Sequence, residues 1–147
     1  MSTQTPRLTP ARSTTLDLAL RIGVASALAV DAVVHLRLAS TYQFAFPGGI
    51  GGGNLFRIEA AVAIIAAIYV LIRGSKASYA IAFGVAASAF IAVVLSRYVD
   101  MPAIGPIPSM YEPVWYFEKS LSAVAEGAGA VLAAVGIYRA KSQRIAD

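Results

Sequence analysis

The chain has 147 residues, of which 58% are hydrophobic and 14% charged, with one His, no Cys and a net charge of +4. Soluble domains are about 45–50% apolar and about 25% charged, and a short chain needs more polar surface, not less, so the composition argues against a water-soluble globular domain. The missing Cys excludes disulfides, iron–sulfur clusters, thiolate metal sites and Cys nucleophiles.

Residues 1–15 are rich in Ser, Thr, Pro and Arg and are expected to form a disordered cytoplasmic tail. A helix that crosses lipid needs about 20 mainly apolar residues. Four segments qualify, at 18–36, 55–72, 78–96 and 115–138. The third carries no charge, and the apolar part of the fourth, 120–138, carries only Glu126. Ala and Gly dominate and no period-2 alternation persists, so strands are not expected. Backbone in lipid must satisfy its own hydrogen bonds, which leaves helices. The fold expected is all-α, an integral membrane antiparallel four-helix bundle over 16–139, with a second cytoplasmic tail at 140–147. The first span has polar residues and no convincing cleavage site, so it reads as a retained helix rather than a signal peptide.

The connections are short. RGSKA, Arg73 to Ala77, predicts a tight turn that makes the second and third spans antiparallel neighbours. PGGIGGGN, Pro47 to Asn54, predicts a flexible outer loop, open to a second role as a lid, with Asn54 capping the next helix. It has neither the preceding strand nor the Lys-Ser/Thr of a phosphate-binding loop. Pro102, Pro106, Pro108 and Pro113 stiffen the third loop.

Lys and Arg near span ends set orientation. Arg7, Arg12, Arg21, Arg73, Lys76, Arg139, Lys141 and Arg144 fall on one side, against Arg37, Arg57, Arg97 and Lys119 on the other. This predicts a multi-pass protein of the plasma membrane with both termini cytoplasmic. The positive charge is thus mainly a topology signal. No basic cluster interleaved with aromatics suggests nucleic-acid binding.

The acids are uneven. Asp31, Glu59, Asp100, Glu112, Glu118 and Glu126 all fall in the outer half, with Asp17 and Asp147 inside. Ionisable groups within a span are costly and normally face the bundle interior, where they pair. Asp31 and His35 are four apart and share a face. Arg57 and Glu59 lie about 200° apart around their helix, so Arg57 is free to reach the headgroups. The expected polar cluster is Asp31, His35, Glu59, Arg97, Glu118 and Glu126, under an outer loop bearing Asp100, Tyr111, Glu112 and Trp115. His35 is open to three roles: an imidazole held by Asp31 or a carbonyl, a proton carrier, or a metal ligand. A metal site would draw on His35 with Asp31, Glu59 and one of Glu118 or Glu126. Nitrogen with carboxylate oxygens suits Zn, Mn or Fe. One His and no well-placed Met argue against haem. Glu126 is either a neutral buried acid bonded across the bundle or a step in a proton relay. Ala80, Gly84 and Ser88, like Ala125, Gly129 and Ala133, form small-residue faces for packing within the bundle, between copies or on a larger complex.

DAVVHLRLASTYQ, GGNLFRIEAAVAIIAA and RYVDMPAIGPIPSMYEPVWYFEKSLSAVAEGAGAV resemble a group of uncharacterised small four-span integral membrane proteins of actinobacteria. The resemblance covers about Ala19 to Gly136 and implies a four-helix membrane bundle in an actinobacterial plasma membrane. It transfers no activity. A looser likeness to DoxX-type four-helix proteins is architectural. The leading functional expectation is an accessory or binding module with the lipid bilayer as its solvent, acting as a homo-oligomer or in a larger membrane complex. Ligand, metal or proton handling at Asp31, His35, Glu59 and Glu126 is the alternative, followed by an outer-leaflet enzyme. No nucleophile motif defines a reaction, and the inner half lacks ionisable residues for a continuous relay. The site geometry decides between the first two. Convergence on one cavity favours a ligand, and closed pairs with Arg37, Arg57 and Arg97 favour pure structure.

Overall fold

A computed structural model describes residues 14–146, with side chains over 15–140, so residues 1–13 of the expected N-terminal tail and Asp147 lie outside the described residues. The described chain is all-helical: α1 (Thr14–Ala45), α2 (Gly52–Arg73), α3 (Lys76–Tyr98) and α4 (Phe117–Ala146). All four are long and apolar enough to cross a membrane. An isolated bridge between Ile104 and Ile107, around Gly105, is the only strand-like pairing among the described residues.

Two helices outrun their apolar spans. α1 continues nine residues past Leu36 and ends before Pro47, because nothing in RLASTYQFA breaks a helix and the residue before a proline disfavours one. α4 runs to Ala146, through residues 140–146 that were expected to be tail. AKSQRIA contains good helix formers and no Gly or Pro.

Residues 47–51 form a non-helical loop as expected, but the last two glycines of the run belong to α2 and serve packing. Gly51, Gly52 and Gly53 are buried, and α2 already begins at Gly52. A Cβ on Gly53 would strike the Ala39 carbonyl oxygen, and one on Gly52 would lie 2.9 Å from the Tyr42 carbonyl oxygen. The missing side chains let α1 and α2 touch backbone to backbone. Asn54 does not cap α2, whose N-cap is Gly51. Its amide instead donates to the Ile50 carbonyl at 2.8 Å.

The α2–α3 turn is as tight as expected. Gly74 closes α2 with φ 51°, and Ser75 opens α3 with a reciprocal capping box to Ser78. Ser78 is fully buried, so losing this box strands a polar group. Ser75→Ala is expected to cost about 1 kcal/mol, read as a lower unfolding midpoint in mild detergent with an unchanged helical spectrum.

The core is built from small residues. Ala60, Ala63, Ala82 and Ala133 are each fully buried, as are Val24, Leu28 and Val70, and Tyr79 is the bulkiest side chain packed into this cluster. Outward faces carry Ile65, Ile72, Val124 and Val131. α1 packs most closely on α2, then α3 on α4 and α1 on α4, and the α2–α3 contact is the thinnest of the four. The Asp17–Arg139 pair at 3.6 Å and the Arg21 side chain against Gly74 gather the start of α1, the late part of α4 and the α2–α3 turn at one end. The polar site lies toward the opposite end.

Candidate functional site

Asp31 and His35 share a face of α1, and Ser122 and Glu126 share a face of α4 by the same four-residue spacing. His35 Nδ1 lies 2.8 Å from Asp31 Oδ1 and 3.1 Å from the Asp31 backbone carbonyl. The Ser122 hydroxyl bridges the helices, 2.9 Å from Asp31 Oδ1 and 2.9 Å from Glu126 Oε1. A hydroxyl has one proton to donate. It can satisfy both carboxyls only if one of them carries a proton and donates back. Asp31 and Glu126 are 1% and 2% exposed, yet Asp31 Oδ2 and Glu126 Oε2 are buried with no hydrogen-bond partner. Such orphaned acceptors are uncommon and call for a reason.

His35, Ser122 and Glu126 line one end of a cavity of about 620 Å³. Leu55 and Ile58 of α2 and Ile91 and Leu95 of α3 form apolar walls, and Met101, Ile104 and Met110 of the α3–α4 loop form a roof. The wall residues Ile58 and Ile91 are also about half exposed, at 52% and 55%. The cavity therefore reaches the outer surface between α2 and α3, at the ends of these helices remote from their tight turn. A shallower cavity of about 380 Å³, between residues 45–49 and 103–111, is lined by no charged side chain.

A second polar group holds the roof. The Tyr42 hydroxyl donates to Glu112 Oε2 and meets the Tyr116 hydroxyl, which lies 3.4 Å from the same carboxylate oxygen. Glu112 N–H donates to the Ser96 carbonyl at 2.7 Å, and the Lys119 ammonium donates to the Glu112 carbonyl at 2.7 Å. Burial pushes the Tyr116 phenol above its ordinary value, opposed by its bond with Tyr42 and reinforced by Glu112. Phe56 stacks on Tyr42 at 4.3 Å and meets the His35 ring edge-on at 4.8 Å, joining the two groups.

The expected cluster comes together only in part. Asp31, His35 and Glu126 form a trio whose ligand-type atoms all lie within 4.8 Å of one another. Glu59 lines the same cavity with Oε1 buried and unpartnered, but stands outside the trio. Of the acids expected beside His35 and Asp31, Glu126 joins them from α4, while Glu59 of α2 stands near enough to feel their charge but outside the trio. Glu118 does not line the cavity. It lies in the first turn of α4, about 12 Å along the axis from Glu126. The Arg97 guanidinium lies 5.0 Å from the Tyr98 ring centre. Arg57 binds Asn54 Oδ1 at 2.9 Å and Gln43 Oε1 at 3.4 Å. Among the described residues no arginine pairs with Asp31, Glu59 or Glu126.

Of the loop residues, Asp100 is exposed, Tyr111 lines the cavity, Glu112 is half-buried, and Trp115 has the Lys119 ammonium 5.7 Å from its ring centre. Sequence reasoning missed Ser122, Tyr42 and the buried Lys119 as structural partners. Only Ser122 left a clear signal, as the hydroxyl one turn before the deepest acid. Ala125, Gly129 and Ala133 are buried between helices, whereas Ala80, Gly84 and Ser88 are exposed.

No family model, curated protein or solved structure matches this chain. What the site does must be argued from its own chemistry. The cavity's acids Glu59, Glu112 and Glu126 outnumber its one fixed cation, Lys119, whose ammonium is already bonded to the Glu112 carbonyl, so the polar end suits a cation or a hydrogen-bond donor. The apolar walls suit a hydrocarbon body.

Proposed function

We propose that this is a multi-pass protein of the plasma membrane, an antiparallel four-helix bundle with both termini cytoplasmic, that serves as a binding module for a small amphipathic ligand. The likeness to actinobacterial four-span proteins belongs to the same proposal. The membrane reading is supported by four helices of spanning length with Ile and Val on their outer faces, a surface poorly suited to water. The antiparallel arrangement is supported by the meeting of α1's start, α4's late part and the α2–α3 turn at one end.

One observation carries the binding reading: His35, Glu59 and Glu126 point their chemistry at one cavity, and among the described residues no arginine pairs with them. Its size falls within the range of about 300–1,000 Å³ typical of small-ligand pockets. The ligand enters from lipid between α2 and α3 and places its donating head at the acids. The exposed Ala80–Gly84–Ser88 face supports docking on a second copy or a larger membrane complex, where small residues permit close helix approach.

Ala92 lines the cavity without belonging to its polar end. Metal-stripped protein in mild detergent is expected to bind n-decylamine more tightly than decanoic acid by native mass spectrometry, and Ala92→Trp is expected to weaken the amine about tenfold, equivalent to about 1.4 kcal/mol. Equal binding of the two head groups, or an Ala92→Trp variant that binds like the wild type, rejects the reading.

A further inference from the structure

The trio at the α1–α4 seam has more acceptor capacity than the protein itself uses. Asp31 Oδ2 and Glu126 Oε2 are sealed from solvent and receive no N–H or hydroxyl donor, the two carboxyls stand within hydrogen-bonding reach of each other, and the one Ser122 proton is shared between them. A buried acceptor without a donor is expensive, and two such oxygens beside one imidazole point to a missing cationic centre. We propose that Asp31, His35 and Glu126 are the protein ligands of a divalent first-row transition-metal ion, with a further coordination position turned toward the cavity.

The geometry suits this. One ring nitrogen and two carboxylate oxygens already lie within 4.8 Å of one another. A tetrahedral Zn²⁺ ion with bonds of about 2.0–2.2 Å needs ligand atoms roughly 3.3 Å apart, so modest side-chain rotation closes the site. His35 leaves its hydrogen bond to Asp31 to do so, and the single Ser122 proton remains to orient one of the two carboxylates, as outer partners of metal sites commonly do. Three protein ligands and an open position are the pattern of reactive rather than closed sites. The imidazole selects against Mg²⁺ and Ca²⁺, which prefer all-oxygen shells. The cavity supplies the entry path. This site does not depend on an amphipathic ligand, and Ala92→Trp leaves all three ligands in place.

The chain has a single His, which makes the test clean. Full-length, tag-free protein in mild detergent, stripped with EDTA, is titrated with Zn²⁺ and with Mn²⁺. The expected result is one equivalent of either ion by elemental analysis after desalting, Zn²⁺ tighter than Mn²⁺, and no displacement by millimolar Mg²⁺ or Ca²⁺ (on the order of physiological levels). Pulsed EPR of the Mn²⁺ form, with ¹⁵N-labelled histidine, should show coupling to one imidazole nitrogen and so identify His35 without any substitution. His35→Gln and Glu126→Gln should each weaken Zn²⁺ at least tenfold, with Glu118→Gln, outside the cavity, unchanged. Three outcomes overturn the site: no stoichiometric uptake by the wild type, bound Mn²⁺ with no histidine coupling, or Zn²⁺ affinity that survives both His35→Gln and Glu126→Gln.

Discussion

Asp31→Ala is expected to lower the stability of the folded chain by about 3–5 kcal/mol in EDTA-treated detergent solution, the range for removing one partner from a buried charged pair. Asp31 is 1% exposed and receives His35 Nδ1 at 2.8 Å and the Ser122 hydroxyl at 2.9 Å. Without its carboxyl, the half-buried imidazole loses its side-chain partner, Ser122 is left with Glu126 alone, and a void opens between α1 and α4. Asp31→Asn keeps the shape and an acceptor oxygen, and is expected to cost about 1–1.5 kcal/mol, near the worth of one ordinary hydrogen bond. Unfolding by SDS titration, followed by far-UV circular dichroism, reads both. Two variants of equal stability would mean that the carboxyl contributes nothing beyond volume.

Gly53→Ala is expected to be nearly as damaging, at about 2–3 kcal/mol, the upper part of the usual cost of overpacking. Its new methyl group meets the Ala39 carbonyl oxygen and the Gln43 side chain, and backbone cannot step aside as a flexible side chain does. Gly84→Ala is the matched control. A Cβ there meets nothing within 4 Å, so the change should be stabilising by about 0.5–1 kcal/mol, the ordinary gain of Ala over Gly inside a helix. A Gly53→Ala protein with wild-type stability would mean that α1 and α2 are not in backbone contact.

What could be read from the sequence followed the severity of the physical constraint. A segment able to cross lipid is constrained in length and composition, so the four long apolar helices and the tight Gly74–Ser75 turn were legible. Helix ends were not, because hydropathy reports where apolar residues stop and not where backbone geometry changes. Thus α1 runs on through Arg37 and Thr41, and α2 starts inside the glycine run. Gly52 and Gly53 looked like breakers because their reason for being glycine lies on another helix, in the carbonyls of Tyr42 and Ala39. That Glu59 would stand outside the Asp31–His35–Glu126 trio was equally hidden. Both acids have the right depth, and only the packing of α4 against α1 decides between them. Spacing along one helix did predict the Asp31–His35 pair, since that pairing needs no tertiary information.

The unequal helix contacts give the molecule the mechanics of a bound book. α1 with α2 and α3 with α4 are the two covers, joined along a spine where Ser122 stitches Asp31 to Glu126. The fore-edge between α2 and α3 is clasped at one corner by the Gly74–Ser75 turn and is thinly held elsewhere. The covers can part only at the unclasped corner, where Ile58 and Ile91 stand on either side of the gap. Whatever tightens or loosens the stitching therefore sets how wide that corner gapes.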